Sequence, residues 1–134
     1  MARLFVLCVL VLPALGLPVL AAGCAPTIGD GCAAATNCSV NGDRLCDLTQ
    51  PGGACIVFDC QADGCPDNAV CVRFNPDAPR HTVVACMRRC GDDGNCRGEY
   101  HCSSAADLGV TPAGDDYASV LDVRQPDGRF CVAD

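Results

Sequence analysis

The sequence predicts a small disulfide-rich fold, dominated by loops, with short antiparallel β-hairpins and little helix apart from an N-terminal signal segment. Three observations carry that expectation. Cysteine occurs 14 times in 134 residues, a density typical of exported disulfide scaffolds and foreign to intracellular enzymes. Large apolar side chains are scarce: from residue 24 onward, leaving out Ala and Cys, there are ten Val, four Leu, three Phe, two Ile, two Tyr and one Met. So thin a core does not offset about 1–2 kcal/mol of backbone ordering per residue, whereas each native disulfide contributes about 2–4 kcal/mol. Asp-Gly, Asn-Gly and Gly-Asn pairs also punctuate the chain with tight turns. The formal charge of −7, with 9 basic and 16 acidic side chains, argues against a nucleic-acid partner, which would call for a basic face.

The N-terminus reads as an address. After Met1-Ala2-Arg3, residues Leu4 to Leu20 are apolar but interrupted by Pro13, Gly16 and Pro18, short and broken for a membrane-spanning helix. Residues 1–23 have the layout of a secretory signal that is removed; an uncleaved anchor is the alternative. Leu20-Ala21-Ala22-Gly23-Cys24 resembles the lipobox of bacterial lipoproteins, matching at Ala22, Gly23 and Cys24 and departing at Ala21, where that family prefers Leu. The resemblance implies lipidation of Cys24 and attachment to a membrane through that lipid. Ala25 in place of an Asp implies the outer membrane or cell surface; a secreted, soluble protein is the alternative. Residues 24–31 read as the lipidated N-terminus and a tether.

Cysteine arithmetic agrees with that division. Cys8 leaves with the signal, and a lipidated Cys24 does not pair. Cys32, Cys38, Cys46, Cys55, Cys60, Cys65, Cys71, Cys86, Cys90, Cys96, Cys102 and Cys131 then remain, twelve in all, enough for six bridges of open connectivity. Zinc is the competing use of clustered cysteine, but no Cys-x-x-Cys pair occurs, and that spacing is what presents two sulfurs on one tight turn. No metal and no other cofactor is expected.

Within the cysteine-rich domain, 32–134, the spacing suggests three short Cys-loop repeats, 32–46, 60–71 and 90–102, with Cys55, Cys86 and Cys131 as extra ties. Ala69–Phe74 alternates, Asn75–Pro79 is a loop, and His81–Met87 returns antiparallel. A C-terminal hairpin, 120–132, is expected around Gln125-Pro126-Asp127-Gly128, whose Pro and Gly suit a turn. One helical turn is expected at Ser104–Leu108.

Cys86-MRR-Cys90-GDDGN-Cys96-RGEYH-Cys102 together with 120–132 resembles uncharacterised cysteine-rich lipoproteins of myxobacterial type, with Arg97, Gly98 and Tyr100 in the matching places. The spacing is also similar, more loosely, to EGF-like and dickkopf-like disulfide modules. These resemblances imply export and bridging, and no activity.

No catalytic residues are expected. His81 and His101 are the two imidazoles, and neither lies in a nucleophile motif. Asp92-Asp93-Gly94-Asn95 lacks the spaced ligands of a calcium loop and reads as a solvated turn, as does Asp115-Asp116. Arg88-Arg89 is expected to face acidic neighbours such as Asp92 and Asp93. Asn37-Cys38-Ser39 matches a glycosylation acceptor but carries no expectation in a bacterial chain with Cys38 bridged. The expected function is a lipid-anchored, non-catalytic envelope or surface protein. It would bind an extracellular or periplasmic protein or glycan through its bridged loops. The alternative is a protease-inhibitor-like protein presenting Asn75–Arg80.

Overall fold

The computed structural model describes residues 25–134; the signal segment and Cys24 lie outside the described residues. The described residues form one α-helical turn, α1 (Ala35–Cys38), two 3-10 turns at Asp93–Asn95 and Ala106–Leu108, and seven short strands: β1 (Leu45–Asp47), β2 (Ala54–Ile56), β3 (Ala69–Phe74), β4 (Val83–Arg88), β5 (Tyr100–Ser103), β6 (Ala118–Val120) and β7 (Phe130–Ala133). All strand pairings are antiparallel: β1 with β2, β4-β3-β6 as a three-stranded sheet, and β5 with β7. No helix among the described residues is long and apolar enough to cross a membrane.

The twelve cysteines form six bridges with one repeating plan. Cys32 joins Cys46 and Cys38 joins Cys55; Cys60 joins Cys71 and Cys65 joins Cys86; Cys90 joins Cys102 and Cys96 joins Cys131. In each set of four, the first cysteine bonds the third and the second bonds the fourth. Each expected loop, 32–46, 60–71 and 90–102, is thus bridged end to end, and Cys55, Cys86 and Cys131 tie its middle cysteine to the chain beyond, giving three modules that span 32–55, 60–86 and 90–131.

Strand register explains why the plan repeats. The third and fourth cysteines of each module stand directly opposite one another: Cys46 faces Cys55, Cys71 faces Cys86, and Cys102 faces Cys131. Side chains at opposed positions of an antiparallel pair leave the same face. Both sulfurs therefore point toward the loop that carries the first two cysteines, and two bridges close over it.

The β3–β4 hairpin forms as its alternation predicts, with Val70 and Val72 fully buried, although Cys71 on the opposite face is buried as well. The main apolar cluster gathers Val70, Val72, Ala118 and Phe130, and Phe74 meets Phe130 edge-on with ring centroids 5.9 Å apart. The expected turn at Ser104–Leu108 shortens to Ala106–Leu108.

Two expectations are corrected. The hairpin over 120–132 does not form, although its turn does, with the Gly128 N–H donating to the Gln125 carbonyl at 3.0 Å. Its two arms part: β6 pairs with β3, and β7 pairs with β5. A buried carboxylate and a cross-link override the local turn. Asp122 accepts from the amides of Asp63 at 2.7 Å and Cys71 at 3.2 Å, holding the chain after β6 against the second module. The Cys96–Cys131 bridge draws β7 to the third.

The tether, 24–31, is also shorter than expected. Ile28 is 0% exposed and packs beside Ala69 and Cys86. The Gly29 amide donates to the Cys55 carbonyl at 2.9 Å, and the Cys55 amide to the Asp30 carbonyl at 2.8 Å. Gly29 has a positive φ of 87°, and a Cβ there would lie 2.7 Å from the Cβ of Arg88, so this close approach requires glycine. A single Ile among glycines is enough to seat the strap.

Candidate functional site

Where the three modules meet, they leave a groove of about 580 Å³, within the range of about 300–1,000 Å³ typical of binding sites. The end of module 1 contributes Ala54 and the adjoining Ile56, the second module Phe74, Val83 and Ala85 with Met87 just past it, and the end of β7, just past the third, Val132 and Ala133; Phe58 stands between the first two. Leu108 and Tyr117 reach in from the long segment between β5 and β6. Phe58, Val83 and Tyr117 stay partly open to solvent at the mouth. Strand alternation puts these side chains on one side: Ile56 follows buried Cys55, and Ala85 and Met87 flank Cys86. In these two hairpins the bridges occupy one face and the groove the other, while in the third the bridged Cys131 itself lines the groove.

One end of the groove is polar and held by a clamp between modules. Arg97 lies with its guanidinium carbon 4.5 Å from the centre of the Tyr100 ring. It donates to the Pro51 carbonyl at 2.7 Å, to the Tyr100 hydroxyl at 2.8 Å and to the Gly53 carbonyl. The Tyr100 hydroxyl donates in turn to the Pro51 carbonyl at 3.1 Å. Burial pushes the Tyr100 phenol above its ordinary range, with the nearby Arg97 cation opposing the shift. Gly53 has a positive φ of 63°, and any Cβ there would collide with the Cys32 carbonyl. The third module thus grips the turn that closes the first.

The residues singled out in the sequence fall mostly outside this groove. His81 is exposed on the β3–β4 connection. His101 lies at the groove rim, its Nδ1 2.7 Å from the Asp134 carboxylate. Asp93 is engaged by the Cys102 amide at 2.8 Å, and the Asn95 side chain accepts from the amides of Gly91 and Asp92. Asp77 accepts from the Thr111 hydroxyl, which holds its carboxyl below the usual range; the Asp77 carboxylate in turn pushes Asp115 up. The Arg88-Arg89 doublet does not face Asp92 and Asp93 as expected. Arg88 pairs with Asp30 at 3.2 Å and Arg89 bonds the Gln125 side chain at 2.7 Å, because the sheet splits their directions. Asn37 caps α1 by accepting from the amides of Ala33 and Ala34.

The sulfurs of Cys32, Cys38 and Cys55 lie within 4.8 Å of one another, as do those of Cys60, Cys65 and Cys71 and those of Cys90, Cys96 and Cys131. All of them are in bridges, so none is the thiolate that a metal needs. Cys24, the expected lipidation site, lies outside the described residues.

Sequence reasoning missed the groove, the Arg97 clamp and Asp122. For the first, Ile56 and Met87 directly follow the fourth cysteines of their modules, but neither marks a groove by itself. Comparison of the chain with family models, curated proteins and solved structures finds no match.

Proposed function

We propose that this chain is an exported, lipid-anchored, non-catalytic protein that holds an apolar segment of another envelope protein in the groove between its modules. The observation that carries the reading is the groove itself: open, apolar, and framed by three units that the bridges make rigid. Rigid walls lower the ordering cost of binding. An apolar floor with polar groups at one end suits a peptide with spaced apolar side chains better than a glycan, whose hydroxyls would go unpartnered there. Six bridges fit an oxidising, exported setting, and the lipobox-like Leu20–Cys24 supports the anchor.

The inhibitor alternative is less well supported. Asn75–Arg80 folds into successive turns, with Ala78 donating to Asn75 and His81 to Ala78, and so does not offer an extended segment.

Selection of displayed peptides on the oxidised protein tests the binding reading. Enriched sequences should carry spaced apolar residues and lose binding to Phe58→Asp and Val83→Asp proteins, but not to Val123→Asp. Peptides indifferent to the groove substitutions would overturn it. Intact mass and membrane fractionation test the anchor: Cys24→Ala should leave the protein unlipidated and off the membrane.

A further inference from the structure

Module 1 carries exposed apolar side chains beside the point where the chain enters the body. Val40 is 92% exposed, Leu45 46% and Leu48 66%. A lone exposed apolar residue needs no explanation, but three on one short segment of a chain with so little core call for one. Where the described chain begins decides what lies near them. Arg44, next to Leu45, donates to the Pro26 carbonyl. From Thr27 onward the strap is fixed, its amide on the Asp30 carboxylate at 2.6 Å and Ile28 fully buried. Only Ala25, Pro26 and Thr27 separate Cys24 from Ile28, and an extended chain gains at most about 3.3–3.6 Å per residue. A lipid on Cys24 thus leaves this end of module 1 no room to stand away from the bilayer.

We infer that Val40, Leu45 and Leu48 rest in the interfacial layer of the membrane that holds Cys24, making module 1 the membrane-facing end of the molecule. The inference rests on the anchor reading above. Asp43, Arg44 and Asp47 on the same segment give it no net basic character, so the contact is apolar and not an attraction to anionic headgroups. It holds on zwitterionic lipid and persists in high salt. Gly29 and Asp47, both close to this end, also line the groove, so part of its wall would lie near the membrane surface.

The chain contains no tryptophan, so a single introduced indole reports its own position. Val40→Trp, Leu48→Trp and, as reference, Val123→Trp on the exposed segment before Gln125 are made in the full lipoprotein. Each is reconstituted into phosphatidylcholine vesicles with brominated acyl chains. Quenching at Val40→Trp or Leu48→Trp about twofold or more above that at Val123→Trp is expected, since interfacial side chains reach the headgroup–acyl boundary. Hydrogen exchange on the unsubstituted protein should show slowed amides across 40–48 on vesicles. Quenching no greater than the reference at both positions, in protein that carries lipid by mass and sediments with vesicles, overturns the inference and leaves the anchor standing. Protein that carries no lipid and does not sediment overturns the anchor reading, and the inference with it.

Discussion

Modules 1 and 3 share a bridge plan and differ in what lies between their third and fourth cysteines. In module 1 the return from Cys46 to Cys55 is a tight turn closed by Gly53 donating to Gln50 at 2.9 Å. It stays within its own module. In module 3 the return from Cys102 to Cys131 leaves the module altogether. It lends β6 to the β3–β4 sheet, buries Asp122 against the second module, and brings Phe130 into the main cluster. The same pair of bridges thus closes a self-contained loop in one place and a clasp in another. Cohesion of modules 2 and 3 comes from that clasp, whereas module 1, whose bridges are internal, is held by the strap 27–30, the Arg97 clamp, and the run after β2, which packs Ala54 and Ile56 on Ala85 and exchanges amide bonds with β4 at Val57–Cys86 and Asp59–Val84.

The largest way to break this contrast is to remove it altogether: strong reductant should abolish near-UV circular dichroism and amide dispersion throughout, since neither kind of module has the core to persist without bridges. Within the oxidised protein, Phe130→Ala should cost about 3–5 kcal/mol in denaturant unfolding. Hydrogen exchange should quicken across β3, β6 and β7 first and in module 1 least. Replacing Cys96 and Cys131 together by Ala should cost about 0.8 kcal/mol more than replacing Cys32 and Cys46, because the sequence separations closed are 35 and 14 and loop entropy grows with length. Equal costs would mean that module 3 is held by packing more than by its long bridge.

Asp122→Ala should cost about 1–3 kcal/mol by leaving the amides of Asp63 and Cys71 without an acceptor, and Asp122→Asn should recover part of it. The smallest effect concerns the clamp. The Tyr100 phenol should ionise above the ordinary value of 10.0, read by ultraviolet titration. A folded-state value raised in this way means that the folded protein holds its proton longer than the unfolded chain. Stability should therefore fall as pH rises through 10.0 toward the folded value. Arg97→Ala should raise the Tyr100 value further and quicken amide exchange around 50–53.

The β3–β4 hairpin was legible because it is local: alternation, a Pro-rich loop and a β-branched return all agree. The three loop repeats were legible as spacing, but their closure was not. Which cysteine faces which follows from strand register, and register depends on strands whose partners lie far along the chain. Val120–Val132 misled for the same reason. Its turn residues are sound, yet Asp122 and Cys131 answer to partners at 63, 71 and 96. The strap looks like linker in the sequence because a lone Ile between Thr27 and Gly29 gives no sign of burial until a crevice is there to take it. The groove escaped notice since none of its residues is unusual alone; it exists only where three modules abut.

The interleaved bridges have a consequence for biosynthesis. On the proposed export route, a chain threaded through a membrane from its N-terminus would present Cys32 and then Cys38 to an oxidant before Cys46 has emerged, and likewise Cys60 before Cys71 and Cys90 before Cys102. Oxidation in order of arrival would join neighbours, and no native bridge joins neighbours. A host that makes this protein well must therefore delay oxidation or supply a disulfide isomerase, and yield should track isomerase activity more closely than oxidase activity.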